Sequence, residues 1–190
     1  MAQQAARRMT VAEFLDFEDG TDTRYQLIDG DLNAMAPPMR GHGALTMRTG
    51  RMIGAALKPG CEVIVQAGIV PDEASDSFFV ADLAVTCSPS LASDPIIPEP
   101  RLIVEVLSPS TTATDLNRKL PAYRAMPSVQ EVLIVATSEP RVEHWHREAD
   151  GWKVRDLRPG DILAIETLGV TIDVAALYQG VLDTPEAGQG

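Results

Sequence analysis

Two carboxylates in this chain sit where a folded interior rarely tolerates one. Glu105 lies inside Arg101-Leu102-Ile103-Val104-Glu105-Val106-Leu107-Ser108, an Ile- and Val-rich run that reads as a strand buried on both faces. Asp82 lies inside a second short apolar run, Val80-Ala81-Asp82-Leu83-Ala84-Val85. An ionised carboxylate in such a strand is costly unless it is paired or bound to a cation. Neighbouring strands run about 4.8 Å apart, so acids at matched positions on two of them can share one hard cation such as Mg²⁺ or Mn²⁺. The competing reading of the same pair is a buried polar pair satisfied by arginine or backbone donors.

Other reactive residue types are less well placed. His144 and His146 are two apart on an expected strand and so share a face, as half of a metal site requires. With no third ligand evident nearby, surface pairing on a hairpin is the expectation. Ser108 and Ser110 have no histidine at a spacing that would make either a nucleophile, and the glycines form no phosphate-cradling loop. Cys61 and Cys87 are the only cysteines, too few for a disulfide framework or a zinc cluster, and both fall in strand-like surroundings. They are expected to be reduced core residues of a cytoplasmic protein.

The elements that must position these residues alternate along the chain. Thr10-Val11-Ala12-Glu13 has the form of a capping box and opens a short helix. Asp29-Gly30 between Tyr25–Ile28 and Asp31-Leu32 signals a tight hairpin. A helix is expected from about Gly41 to Leu57, strands near 61–70, 78–86 and 101–107, and a helix from Ser110–Thr114 to about Ala125. A strand at Val129–Val135, a hairpin of Arg141–Arg147 with Trp152–Leu157, and a helical turn at Asp173–Tyr178 follow. The order predicts an α/β (α+β) fold with a mixed central sheet flanked by helices and an added β-hairpin region. At 190 residues the expectation is a single domain over 10–180, with flexible ends at 1–9 and 181–190.

A net charge of −11 repels nucleic acid at long range, so any such partner needs bound cations or a local basic strip. Basic residues do concentrate at Arg40, Arg48 and Arg51, and again at Arg118, Lys119 and Arg124, where solvated helix faces are the simpler account. No apolar run approaches the roughly 20 residues that span a bilayer.

In the order and spacing of its motifs the chain resembles the Uma-type family of restriction endonucleases, a branch of the PD-(D/E)XK nuclease superfamily. The stretches that carry the likeness are Tyr25–Leu32, Ala36-Pro37-Pro38 with His42, Val80–Val85, and Leu102–Thr111. Asp115, Lys119 and Tyr123 and then Glu131–Val135 continue it. The resemblance implies a restriction-endonuclease-like core that uses Mg²⁺ or Mn²⁺ to hydrolyse phosphodiester bonds of nucleic acid, DNA in the first instance. It casts Asp82 and Glu105 as metal ligands, with Lys119 as the third catalytic residue. His42, Arg48, Arg118 and Tyr123 are candidates for substrate contact. A homodimer is expected, since each active site cuts one strand of a duplex.

Several positions depart from that pattern. Leu107 stands where the superfamily lysine would be, two residues after Glu105. Lys119 on the following helix is the replacement, with an i,i+4 surface ion pair to Asp115 as its alternative reading. Ala81 precedes Asp82 in place of proline, Gln26 stands where the family has an acid, and Pro121 is expected to kink or interrupt the helix. A catalytically inactive domain of the same fold, serving binding or assembly, therefore stays open beside the nuclease.

Overall fold

The computed structural model describes residues 8–72, 76–107 and 115–182. Helix α1 (Val11–Leu15) begins with the expected capping box: the Thr10 hydroxyl accepts from the Glu13 N–H, and the Glu13 carboxylate accepts from the Thr10 N–H. Strands β1 (Tyr25–Ile28) and β2 (Asp31–Ala34) pair around a two-residue turn. Asp29 and Gly30 both have positive φ there, as this tightest hairpin requires.

Helix α2 (Arg40–Ala56) leads into β3 (Glu62–Ile69), β4 (Phe79–Thr86) and β5 (Leu102–Leu107). A π-helical segment, Asp115–Lys119, runs directly into α3 (Leu120–Ala125). Then come β6 (Glu131–Ala136), β7 (Val142–Glu148), β8 (Gly151–Leu157), β9 (Ile162–Ile165), β10 (Val170–Asp173) and α4 (Val174–Tyr178). The six strands β3 to β8 form one sheet in sequence order, with β9 and β10 a separate two-stranded ribbon. Among the described strands only the β5–β6 pairing is parallel, and that is where a helix has to carry the chain back across the sheet.

The sheet is covered on both faces. On one side Leu83, Val85, Val104, Val106, Leu133 and Val135 pack with Leu45 and Ile53 of α2, the β9–β10 ribbon and α4. On the other, Ala81, Ala84, Ile103, Val132 and Ile134 pack with Leu120, Tyr123 and Met126 of α3 and the turn after it. This double burial explains why β5 and β6 are nearly continuous apolar runs.

One expectation needs correction, one is met in altered form and one falls outside the described residues. Pro121 stands one residue past the change from π-helical to α-helical winding, so the helix is irregular beside it, as expected, yet continues to Ala125. The expected caps at Ser110–Thr114, like Ser108, lie outside the described residues. Cys61 and Cys87 are not thiols but a disulfide. The β3–β4 register pairs Glu62 with Thr86, so continuing it by one residue sets the two cysteines opposite each other. At the ends, the Met9 N–H bonds the Gly30 carbonyl, and Val181 is buried in the core with Leu182 packed against it.

Candidate active site where two strands part

Strands β4 and β5 are paired only from Leu83↔Val104 to Val85↔Leu102. One step further along the same register Asp82 would face Glu105, and at that step the backbone ladder ends. Side chains take over the backbone groups the parting strands would leave without partners. Asp82 Oδ2 accepts from the Val106 N–H at 2.7 Å, and Lys119 Nζ donates to the Val80 carbonyl at 3.0 Å.

The pleat also changes phase here. Ala81 and Ala84, three residues apart, belong to the same face, whereas Leu83 and Val85 belong to the other. Across the ladder Gln66 has φ +54, and the same inversion separates Ile64 from Ala67. Regular alternation would place alternate side chains on one face throughout. The inversion falls at the one carboxylate of β4.

Glu105 is buried, and its Oε1 accepts from Tyr123 Oη at 2.7 Å and from Lys119 Nζ at 3.2 Å. Lys119 is itself 4% exposed. Lys119 is therefore not a solvent-facing helix lysine; the ammonium is held at the strand seam against the buried carboxylate. The π-helical turn delivers Lys119 and α3 delivers Tyr123 to the same oxygen, and such turns often mark functional positions. On the other side of the seam His42, from the first turn of α2, places Nε2 3.1 Å from Asp82 Oδ1 and 3.2 Å from Oδ2. Both of these side chains are 18% exposed, so this is the open end of the arrangement.

The structure thus brings Asp82, Glu105, Lys119, His42 and Tyr123 together. Tyr123 is fully buried, so it orients Glu105 and does not face a substrate. Arg48 goes elsewhere: its guanidinium donates to the carbonyls of Ala176, Leu177 and Gln179 at the end of α4. Arg118 lies on the surface, 2.9 Å from Asp29 Oδ2.

A match to a family model spans residues 11–175, nearly the whole of the described chain; the family carries the description "Putative restriction endonuclease". The chain belongs to the Uma2 family. Among its relatives are two from Synechocystis sp. (strain PCC 6803), both named as uncharacterized proteins. One is 27% identical over 92% of this chain and 93% of its own; the other is 28% identical over 83% and 92%. The fold matches a crystal structure from Anabaena variabilis described as "a putative nuclease belonging to DUF820". The TM-score is 0.74 at 18% identity, covering 92% of this chain and 99% of that one.

In this Uma2 chain Ala81 is fully buried at the phase change, and Leu107 packs its side chain on the core while its carbonyl accepts from Thr137. The donor set at the seam also fits a hard divalent cation: two carboxylates on adjoining strands, one clamped by lysine and tyrosine and the other by histidine and a backbone N–H.

Sequence reasoning missed one further cluster. His144 is buried, not a surface residue, and a third ligand does lie beside the two histidines: Glu131, the first residue of β6. The cross-strand register, which pairs Glu131 with His146 and Leu133 with His144, was the signal that could have found it. Burial alone would raise the Glu131 pKa, but hydrogen bonds from His144 and Thr167 outweigh it and hold the carboxyl below its ordinary range.

Proposed function

We propose that this Uma2 protein is a divalent-metal-dependent endonuclease acting on nucleic acid, DNA first, with Asp82, Glu105 and Lys119 as its catalytic residues. The observation that carries the reading is Lys119 buried against Glu105 at the point where β4 and β5 part beside Asp82. Asp82 and Glu105 would hold Mg²⁺ or Mn²⁺, which supplies charge neutralisation on the phosphate and an acidified water. Tyr123 fixes the rotamer of Glu105 through the buried Oε1, and Lys119 provides the positive charge beside it. His42, at the open end, is placed to orient a water or take its proton. Arg118, exposed near the same π-helical turn, is the remaining candidate for a backbone phosphate.

Cleaving both strands of a duplex is simplest with a two-fold dimer. Light scattering at tens of micromolar should give a dimer mass; a monomer would remove that part of the reading. No helix among the described residues is long and apolar enough to cross a membrane. The proposed setting is cytoplasmic, where glutathione and thioredoxin would favour opening the Cys61–Cys87 bond.

A second reading has its own support. Both Asp82 oxygens and Glu105 Oε1 already have protein partners, as a purely architectural network would also provide. The two readings differ in their response to Mg²⁺. If the carboxylates share a cation, millimolar Mg²⁺ raises Tm through binding linkage. Asp82→Asn keeps an acceptor for the Val106 N–H but removes the charge, and should lose that shift. Wild type without a shift, or Asp82→Asn with the full shift, would leave only the architectural reading.

A further inference from the structure

His144 and His146 alternate along β7, and Glu131 lies across from His146, so the three side chains share one face of the sheet. Their ligand atoms lie within 4.8 Å of one another. His144 Nε2 is 2.6 Å from Glu131 Oε2, and His146 Nδ1 is 3.9 Å from the same oxygen. Glu131 is fully buried. Its other oxygen is clamped by the turn between β9 and β10, accepting from the Thr167 N–H at 2.8 Å and from the Thr167 hydroxyl. One carboxylate oxygen is thereby anchored while the second is presented to two imidazoles.

We propose that Glu131, His144 and His146 form a binding site for a divalent transition ion of the zinc class. The ligand atoms are Glu131 Oε2, His144 Nε2 and His146 Nδ1, with a fourth position for solvent. Two imidazoles and one carboxylate suit Zn²⁺, Co²⁺ or Ni²⁺; an all-oxygen set would suit Mg²⁺. The spacing of the cluster is close to what a zinc-class ion needs. Ligands about 2.0–2.1 Å from a tetrahedral ion lie roughly 3.3 Å apart, between the 2.6 and 3.9 Å separations seen now.

The hydrogen bonding around the rings supports the assignment. Nδ1 of His144 and Nδ1 of His146 are both buried with no hydrogen-bond partner among the described residues. Taking up an ion would replace the His144 Nε2–H···Glu131 hydrogen bond with a bond from each side chain to the ion, the ring proton moving to Nδ1, where no other protein group competes for it. In His146, Nδ1 faces Glu131 while Nε2 lies 4.0 Å from Glu166 Oε2. A carboxylate behind a metal-bound histidine is the usual outer support of such sites. A plain ion pair would need only His144 and leaves the second imidazole unexplained.

This site is separate from the strand seam. Glu105 is in register with Ile134, three residues along β6 from Glu131 and on the opposite face of the sheet. Three residues of strand put the two about 10 Å apart along it.

Co²⁺ titration of untagged, chelator-stripped protein tests the proposal, followed by its visible ligand-field absorbance and by competition with Zn²⁺. In wild type the intense bands of a four-coordinate ion should saturate at one equivalent, and Zn²⁺ should displace the ion that gives them. His146→Ala, at the more exposed ligand, should keep its circular dichroism and weaken binding by about 100-fold or more, beyond the loss seen for outer-shell changes. Asp82→Asn, at the separate seam, should keep the intense four-coordinate bands. Absence of saturable absorbance in wild type, or equal Co²⁺ affinity in a folded His146→Ala protein, would overturn the site.

Discussion

Lys119→Met is expected to lower metal-dependent cleavage by about 10²–10³-fold, the range for removing one preorganised charge from an active site. The same substitution should also cost about 3–5 kcal/mol of stability, because it strips the cation from a buried pair and leaves Glu105 uncompensated. An exposed lysine paired along its helix would instead lose less than about 1 kcal/mol. Urea denaturation separates these outcomes without any activity assay. Methionine retains most of the apolar stem, so lost packing is not the cause of a large effect. Adding Glu105→Gln to Lys119→Met should recover part of the stability and none of the activity, since the orphaned charge is gone but the site is not restored. A Lys119→Met protein as stable and active as wild type would place the lysine outside both the network and the mechanism.

Opening the Cys61–Cys87 bond is expected to have the next largest effect. The two cysteines are 26 residues apart in sequence. Closing a loop of that length removes about 3.5 kcal/mol of chain entropy from the unfolded state. Cys61→Ser with Cys87→Ser, or wild type in excess reductant, should therefore denature at clearly lower urea. Cys87 follows β4 five residues beyond Asp82, about 17 Å of strand, so the Mg²⁺ response should survive loss of the bond. A double serine variant with unchanged stability would mean that the strand pairing alone holds those ends.

These two cases mark the limit of what was legible in the sequence. Glu105 and Asp82 stood out because a carboxylate in an apolar β-run is anomalous in one dimension, before any fold is known. The Asp29-Gly30 hairpin and the capping box at Thr10 were equally local signals. Lys119 was ambiguous because its spacing from Asp115 and Tyr123 fits a helix face of either kind; only its burial against Glu105 decides. Cys61 with Cys87, and Glu131 with His144 and His146, become neighbours through strand register, which depends on the whole sheet.

The β9–β10 ribbon escaped notice because two four-residue strands give too little periodicity to read. The phase change at Gln66 and Asp82 was invisible for a related reason. It is a backbone event, and Gln66 is not a residue type that announces a positive φ.

A phosphodiesterase site at the seam between β4 and β5 is tested most directly with supercoiled plasmid DNA in Mg²⁺ or Mn²⁺. Wild type should nick or linearise the plasmid with strict dependence on the added cation, and Asp82→Asn should leave it supercoiled under the same conditions. His146→Ala, which leaves the seam intact, serves as the folded control for loss of the other cluster. Wild type that cleaves neither this plasmid nor a single-stranded RNA with either cation, or an Asp82→Asn protein that cuts at the wild-type rate, would contradict the account.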